Sequence, residues 1–82
     1  MEENFNINKA QVDLRNYIGY VICEHYHFLR KNNIDPLSDK ENELVKKHDE
    51  LYKIDESVYK CETKEDIDAL EKRVNEIRNE IM

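Results

Sequence analysis

The chain has 82 residues, a length that allows one small domain with a thin hydrophobic core. It contains one glycine, one proline and two cysteines, which are too few for the turns of an all-β domain or for the disulfide framework of a secreted miniprotein. Its 19 acidic and 13 basic residues give a net charge of −6, which argues against direct binding of nucleic acid, and no stretch approaches the roughly 20 apolar residues of a membrane span.

The first predicted helix spans about residues 6–31. Its stripe of positions spaced three and four residues apart consists of Leu14, Ile18, Val21, Ile22, His25 and Phe28. A second flank, which includes Tyr26 and Leu29, widens this stripe, so we expect the helix to contact more than one neighbour. Gly19 lies near the middle of the helix, where it costs about 1 kcal/mol relative to alanine, and close approach of another helix would be a structural reason for it.

Residues 32–37 interrupt the helical pattern. Asparagine, present here at Asn32 and Asn33, tolerates the left-handed conformation that ends many helices, and Pro36 disfavours a helical conformation in the residue before it. The sequence Ser-Asp-Lys-Glu that begins at Ser38 matches a capping box, so the second helix is predicted over about residues 39–59. Its predicted buried face consists of Leu44, Val45, His48, Leu51 and Tyr52.

A second cap, at Thr63, predicts a third helix over about residues 63–82. Its apolar seam has the narrow spacing of a coiled coil over about two heptads and consists of Ile67, Leu70, Val74, Ile77 and Ile81. In a parallel homodimer the charges beside this seam would meet as like-charged pairs, so we expect it to pack antiparallel against the first helix of its own chain or of a partner. The pattern predicts one all-α domain over residues 1–82, a helical hairpin or three-helix bundle.

Cys23, His25 and His27 form a cluster that resembles a metal site. Zinc needs four ligands, and the paired spacings that would supply the others are missing. We therefore expect Cys23 and His25 to fill the edge of the core and His27 to be solvated, with no metal or cofactor. A cysteine nucleophile with His48 as base can be written, but so short a chain has little room for a substrate pocket, and we assign no catalytic residue.

An interaction surface is predicted from the apolar width of the first helix and from the five tyrosines, a residue type enriched at binding hot spots. The residues assigned to this surface are Tyr17, Gly19, Ile22, Tyr26 and Leu29. Because exposed apolar patches usually mark interfaces and two-fold dimers are the commonest assemblies, we expect a homodimer.

These observations favour a non-catalytic helical protein that binds another protein, as a small inhibitor or regulator. The composition, rich in Asn, Lys, Ile and Tyr, resembles that of products of low-GC bacteria and their phages, which makes a phage inhibitor or regulator one expectation. The acidic start of the chain, unlike the basic start of a secretory signal, predicts a soluble cytoplasmic protein. Two alternatives are a self-associating structural subunit and an acidic DNA mimic that inhibits a nucleic-acid-binding enzyme.

Overall fold

A computed structural model describes residues 5–81, with side chains to residue 80. Three helices are present, α1 (Ile7–Lys31), α2 (Glu43–Ser57) and α3 (Lys64–Ile81), and a 3-10 turn (Val58–Lys60) follows α2. The helices pack against one another, and the described residues contain no strand, which confirms the predicted all-α three-helix fold. The predicted end of the third helix at Met82 and the seam side chain of Ile81 lie outside this description.

The end of α1 is formed by the second of the two asparagines that follow the helix. Asn33 has a φ of 60°, in the left-handed region. Its amide donates to the carbonyl of Arg30 at 3.1 Å, and the amide of Ile34 donates to the carbonyl of Leu29 at 2.9 Å. This pair of bonds is the Schellman arrangement, which satisfies carbonyls that the helix end would leave free.

The start of α2 differs from the prediction. Asn42, rather than Ser38, caps the helix, and its side-chain oxygen accepts from the amide of Leu44 at 2.8 Å. The Ser38 hydroxyl instead donates to Asp35 at 2.9 Å, and the other carboxylate oxygen of Asp35 accepts from the amide of Leu37. Because Asp35 organises its own turn and uses the serine hydroxyl, the capping-box sequence does not begin a helix, and α2 starts four residues later than predicted.

Replacing the observed cap should separate these two assignments. We expect Asn42→Ala to lower the free energy of unfolding by about 0.5–2 kcal/mol, because it leaves an amide of the first turn of α2 without its acceptor. Ser38→Ala, the matched control, should cost less than Asn42→Ala, since its hydroxyl serves only an exposed turn. Urea unfolding followed by circular dichroism measures both, and a larger loss for Ser38→Ala would contradict the assignment.

The start of α3 follows the prediction. The Thr63 hydroxyl oxygen accepts from the amide of Asp66 at 3.2 Å, and the Asp66 carboxylate accepts from the amide of Thr63 at 3.2 Å. Hydrogen bonds from the amide of Glu62, at 3.0 Å, and from that of Thr63 to this carboxylate hold the pKa of Asp66 below its usual value. Two first-turn amides are therefore satisfied by side chains, as in a capping box.

The helices run up, down and up. Hydrogen-bonded pairs between α1 and α3, Tyr17 with Asn75 and Glu24 with Arg78, ascend together along both helices, so these two helices are parallel. The expectation that the α3 seam packs antiparallel to α1 of its own chain is therefore wrong. Two short connections each reverse the chain, which makes α2 the antiparallel neighbour of α3, joined by ion pairs of Lys47 with Glu80 and of Arg73 with Glu50.

The core lies along the axis of an elongated bundle, 49 × 19 × 16 Å in extent. Its main cluster of buried apolar residues consists of Leu14, Ile18, Val21, Leu51, Ile54, Val58, Cys61, Ile67, Val74 and Ile77, and Leu29 and Val45 are also completely buried. The wide stripe of α1 has an intramolecular explanation, because α1 packs against both α2 and α3. Tyr52, predicted to be buried, is instead half exposed, and Ile54 takes its place in the core. None of the described helices combines the length and apolar character needed to cross a bilayer.

Candidate interaction surface

One side of the bundle, formed by α1 and α2 together, presents a row of exposed apolar and aromatic residues. Three of its positions on α1 are seven residues apart and therefore lie on one side of that helix. The surface, here called the α1–α2 face, consists of Val12, Gly19, Cys23 and Tyr26 from α1 and Tyr52 and Tyr59 from α2 and the turn that follows it.

Gly19 lies in an open position at the middle of this face. A Cβ atom added there would meet no heavy atom within 4 Å, so no other part of the chain approaches it. Its φ is not positive, and its backbone conformation is therefore one that alanine also adopts. The described residues thus offer no internal reason for a glycine, which costs a helix interior about 0.5–1 kcal/mol relative to alanine.

At one end of the face, Tyr59 is fixed by Arg15. The guanidinium carbon of Arg15 lies 4.5 Å from the centre of the Tyr59 ring, and the guanidinium also donates to the tyrosine hydroxyl. Asp55 holds the same guanidinium by accepting from its Nε at 3.1 Å. Val12 and Tyr59 line the same shallow pocket, so this end of the face combines an exposed apolar side chain with an aromatic ring held by Arg15.

At the other end, Tyr26 and Tyr52 both pack against His48. The Tyr52 ring meets the imidazole edge-on with centroids 5.2 Å apart, and the Tyr26 ring lies 6.4 Å from it. The Tyr26 hydroxyl also accepts from Arg30 at 3.1 Å. The three tyrosines of the face are 40–65% exposed, yet each is held by contacts within the chain.

Beneath this end, His25 and His48 form a buried pair that joins α1 to α2. Their Nδ1 atoms are 3.0 Å apart, so one nitrogen donates and the other accepts. The Nε2 atom of His25 is buried and has no hydrogen-bond partner. Burial, together with the neighbouring His48, lowers the pKa of His25 to about 4, and burial also lowers the pKa of His48 although Asp49 opposes this shift.

Only some of the residues predicted for an interaction surface share this face. Gly19 and Tyr26 lie on it, and Ile22 is half buried at its floor against the core. Tyr17 points toward α3, where its hydroxyl donates to Asn75. Leu29 is completely buried inside the bundle, so it cannot contact a partner and does not belong to the surface.

Val12, Tyr52 and Tyr59 are surface residues that the sequence analysis did not assign. The seven-residue spacing of Val12, Gly19 and Tyr26 is a signal that could have placed Val12 on the surface. Tyr52 and Tyr59 could not be found in this way, because their positions follow from how α2 rotates against α1.

The members of the predicted cysteine–histidine cluster do not share one side of α1. Cys23 and His27 are exposed, whereas His25 is buried on the side that faces α2. Within the described part of the chain, no three histidine, cysteine, aspartate or glutamate side chains converge as a metal site would require. His25 is instead hydrogen-bonded through its Nδ1 atom to Nδ1 of His48.

Many acidic side chains are paired with bases rather than gathered in one field. Arg73 donates to both carboxylate oxygens of Glu50, at 2.6 and 2.9 Å, and this bond lowers the pKa of Glu50. Arg78 likewise holds Glu24 at 3.0 Å. Such mixing is typical of a solvated helix surface.

Comparison with models of protein families, with curated proteins and with solved structures finds no significant match to this chain. The geometry of the α1–α2 face is therefore the basis for a functional proposal.

Proposed function

We propose that this chain is a non-catalytic cytoplasmic protein that acts as a small inhibitor or regulator by binding another protein at the α1–α2 face. The observation that carries the proposal is the combination of an open glycine with tyrosines that are exposed but held in place. A face of this kind offers apolar area to a partner at a low cost in side-chain ordering.

The tyrosines favour a protein as the partner. Tyrosine contributes a large apolar ring and a polar hydroxyl, and it loses little rotamer freedom when it is bound. Here Arg15 and His48 already restrict the rings of Tyr59 and Tyr52 before any partner arrives. Preorganised aromatic groups of this kind contribute disproportionately at the centre of protein interfaces.

Gly19 favours a helical segment of that partner. Two antiparallel helices form a groove along their line of contact, and an amphipathic helix binds such a groove through residues spaced three and four apart. The missing side chain at Gly19 lets a backbone approach α1 closely near the middle of the groove. We therefore propose an amphipathic helix as the element that the face binds.

The homodimer predicted from the sequence stays a prediction, but the surface through which we expect it to form changes. The apolar stripe that motivated it is covered by α2 and α3 of the same chain, so we now expect the α1–α2 face, rather than this stripe, to attract a second copy. Because Ile22 is half buried, a charge at that position would damage the bundle itself, and Gly19 is the better position for a disruptive substitution.

Photo-crosslinking in extract of the native cell tests the proposal. A benzophenone amino acid in place of Tyr52 is expected to crosslink to a discrete protein, and the same group in place of the exposed Asn79 on α3 is not. Gly19→Glu should abolish the Tyr52 crosslink, since it places a charge and bulk in the groove, whereas Asn79→Glu should leave it unchanged.

Circular dichroism must show that both variants keep the helical content of the wild type. Equal crosslinking from both positions, or crosslinking that survives Gly19→Glu, would reject the α1–α2 face as the binding surface. Sedimentation at micromolar concentration identifies a second copy as the partner if the wild type is a dimer and Gly19→Glu is a monomer.

A further inference from the structure

We infer that the buried His25–His48 pair is a proton-operated switch: when it takes up protons, α1 and α2 separate at the end where residues 32–42 connect them, and the Tyr26–Tyr52 part of the α1–α2 face is lost. The inference rests on the proposed function only in that partner binding is what the switch controls. The evidence for the switch itself is the arrangement of the imidazole nitrogens of His25 and His48.

The neutral pair has one arrangement that leaves no N–H unpaired at the buried end. Because His25 Nε2 is buried without a partner, the proton of His25 is best placed on Nδ1, from which it is donated to Nδ1 of His48. The proton of His48 then lies on its Nε2. The Nδ1–Nδ1 bond of 3.0 Å is thus compatible with two neutral rings.

Adding a proton disrupts this arrangement whichever nitrogen receives it. A pair with one extra proton has three N–H groups, and keeping one proton between the Nδ1 atoms leaves an N–H on each Nε2. The N–H on His25 Nε2 would then be buried with no acceptor. A pair with two extra protons has donors on both Nδ1 atoms, which face each other at 3.0 Å and carry like charges.

The charged groups around the pair do not relieve this conflict. From α2, Asp49 adjoins His48 and favours its protonation, but burial outweighs this effect. From α1, Glu24 precedes His25 and is paired with Arg78 of α3, and Glu80 of α3 is paired with Lys47. The uncharged neighbours are the rings of Tyr26, Phe28 and Tyr52.

The direction of the pH dependence follows from the lowered pKa values of the two buried histidines. The pKa of His25 is about 4 in the folded chain against 6.5 ordinarily, so the unfolded or opened chain binds more protons between these values. The stability that depends on a neutral pair is therefore complete above about pH 6.5 and is lost as the pH falls from there toward 4.

Opening of the pair would act directly on the proposed binding surface. Tyr26 and Tyr52 both pack against His48, and they come from different helices. When α1 and α2 separate at this end, the two rings no longer share a support. Acidification below about pH 6.5 would thus progressively favour the opened arrangement and weaken the binding of a partner at this end of the face.

Urea unfolding at pH 7 and pH 5 tests the switch without any partner. For a shift from 6.5 to about 4, His25 alone should raise the unfolding equilibrium constant by about 20-fold over this interval, and His48 should add to it. His25→Leu/His48→Leu, which replaces both rings by apolar groups, should lose this increase. His27→Gln, which removes an exposed histidine from the same helix, should keep it.

If the double variant does not fold, titration of the wild-type imidazole nitrogens followed by NMR still tests the switch. The His25 signal is expected to remain that of a neutral ring at pH 5.5 while the chain is folded, and the His48 ring is expected to take up a proton only below its ordinary pKa of 6.5. Titration of either ring at 6.5 or above, or an unfolding constant that changes equally in the wild type and a folded double variant, would overturn the switch. Neither result bears on the crosslinking at Tyr52, so the two proposals fail separately.

Discussion

Replacing Ile18 with alanine is expected to lower the free energy of unfolding by about 2–5 kcal/mol. Ile18 is completely buried on the stripe of α1 that packs against the other two helices. The substitution removes apolar contacts and leaves a cavity that surrounding side chains fill only in part. Since a domain of this length has a total stability of roughly 4–12 kcal/mol, the variant should be close to the limit of folding at 25 °C.

The matched control for Ile18 is Val12, which lies on the same helix but is 58% exposed. Val12→Ala should change stability by less than about 0.5 kcal/mol, as exposed substitutions away from special features usually do. Urea unfolding measured by circular dichroism gives both values. A similar loss for the two variants would show that the core does not lie where α1 meets α2 and α3.

The second large effect is expected for the buried histidines at pH 7.5, where both rings are neutral. His48→Leu alone should lower the free energy of unfolding by about 1–3 kcal/mol, because it leaves both nitrogens of His25 buried without partners. The additional change His25→Leu should recover most of that loss, since replacing both partners by apolar groups of similar size is often nearly neutral.

A double-mutant cycle measures this recovery as a coupling energy between the two positions. His27→Gln, combined with His48→Leu, supplies the comparison, and it should show no coupling because His27 is exposed on another side of α1. If His25→Leu and His48→Leu have additive costs, the Nδ1–Nδ1 bond contributes nothing to the cohesion of α1 and α2.

Local rules predicted the parts of the fold that depend on neighbouring residues. The end of α1 at Asn33 and the start of α3 at Thr63 are both where their side-chain chemistry places them. Ser38 shows the limit of this approach, because its hydroxyl has two possible partners and the carboxylate of Asp35 uses it. Competition between two local motifs is decided by the geometry of the whole turn.

Features that depend on how helices are arranged in space were harder to predict. The periodicity of α1 and α2 placed both His25 and His48 among the core positions, but their pairing depends on the register between the helices. Tyr52 was assigned to the buried face of the second helix, but the orientation of α2 in the bundle leaves it half exposed. The parallel direction of α3 follows from the number of chain reversals, which charge patterning beside its seam does not encode.

The two cysteines of the bundle differ in chemical accessibility. Cys23 is exposed on the α1–α2 face, one helical turn from Gly19, whereas Cys61 is buried in the core and burial raises the pKa of its thiol. The thiolate is the nucleophile that attacks an alkylating reagent, so the folded chain exposes one cysteine to such a reagent and conceals the other. Labelling of Cys23 thus reports whether the face is covered, and labelling of Cys61 reports whether the bundle has opened.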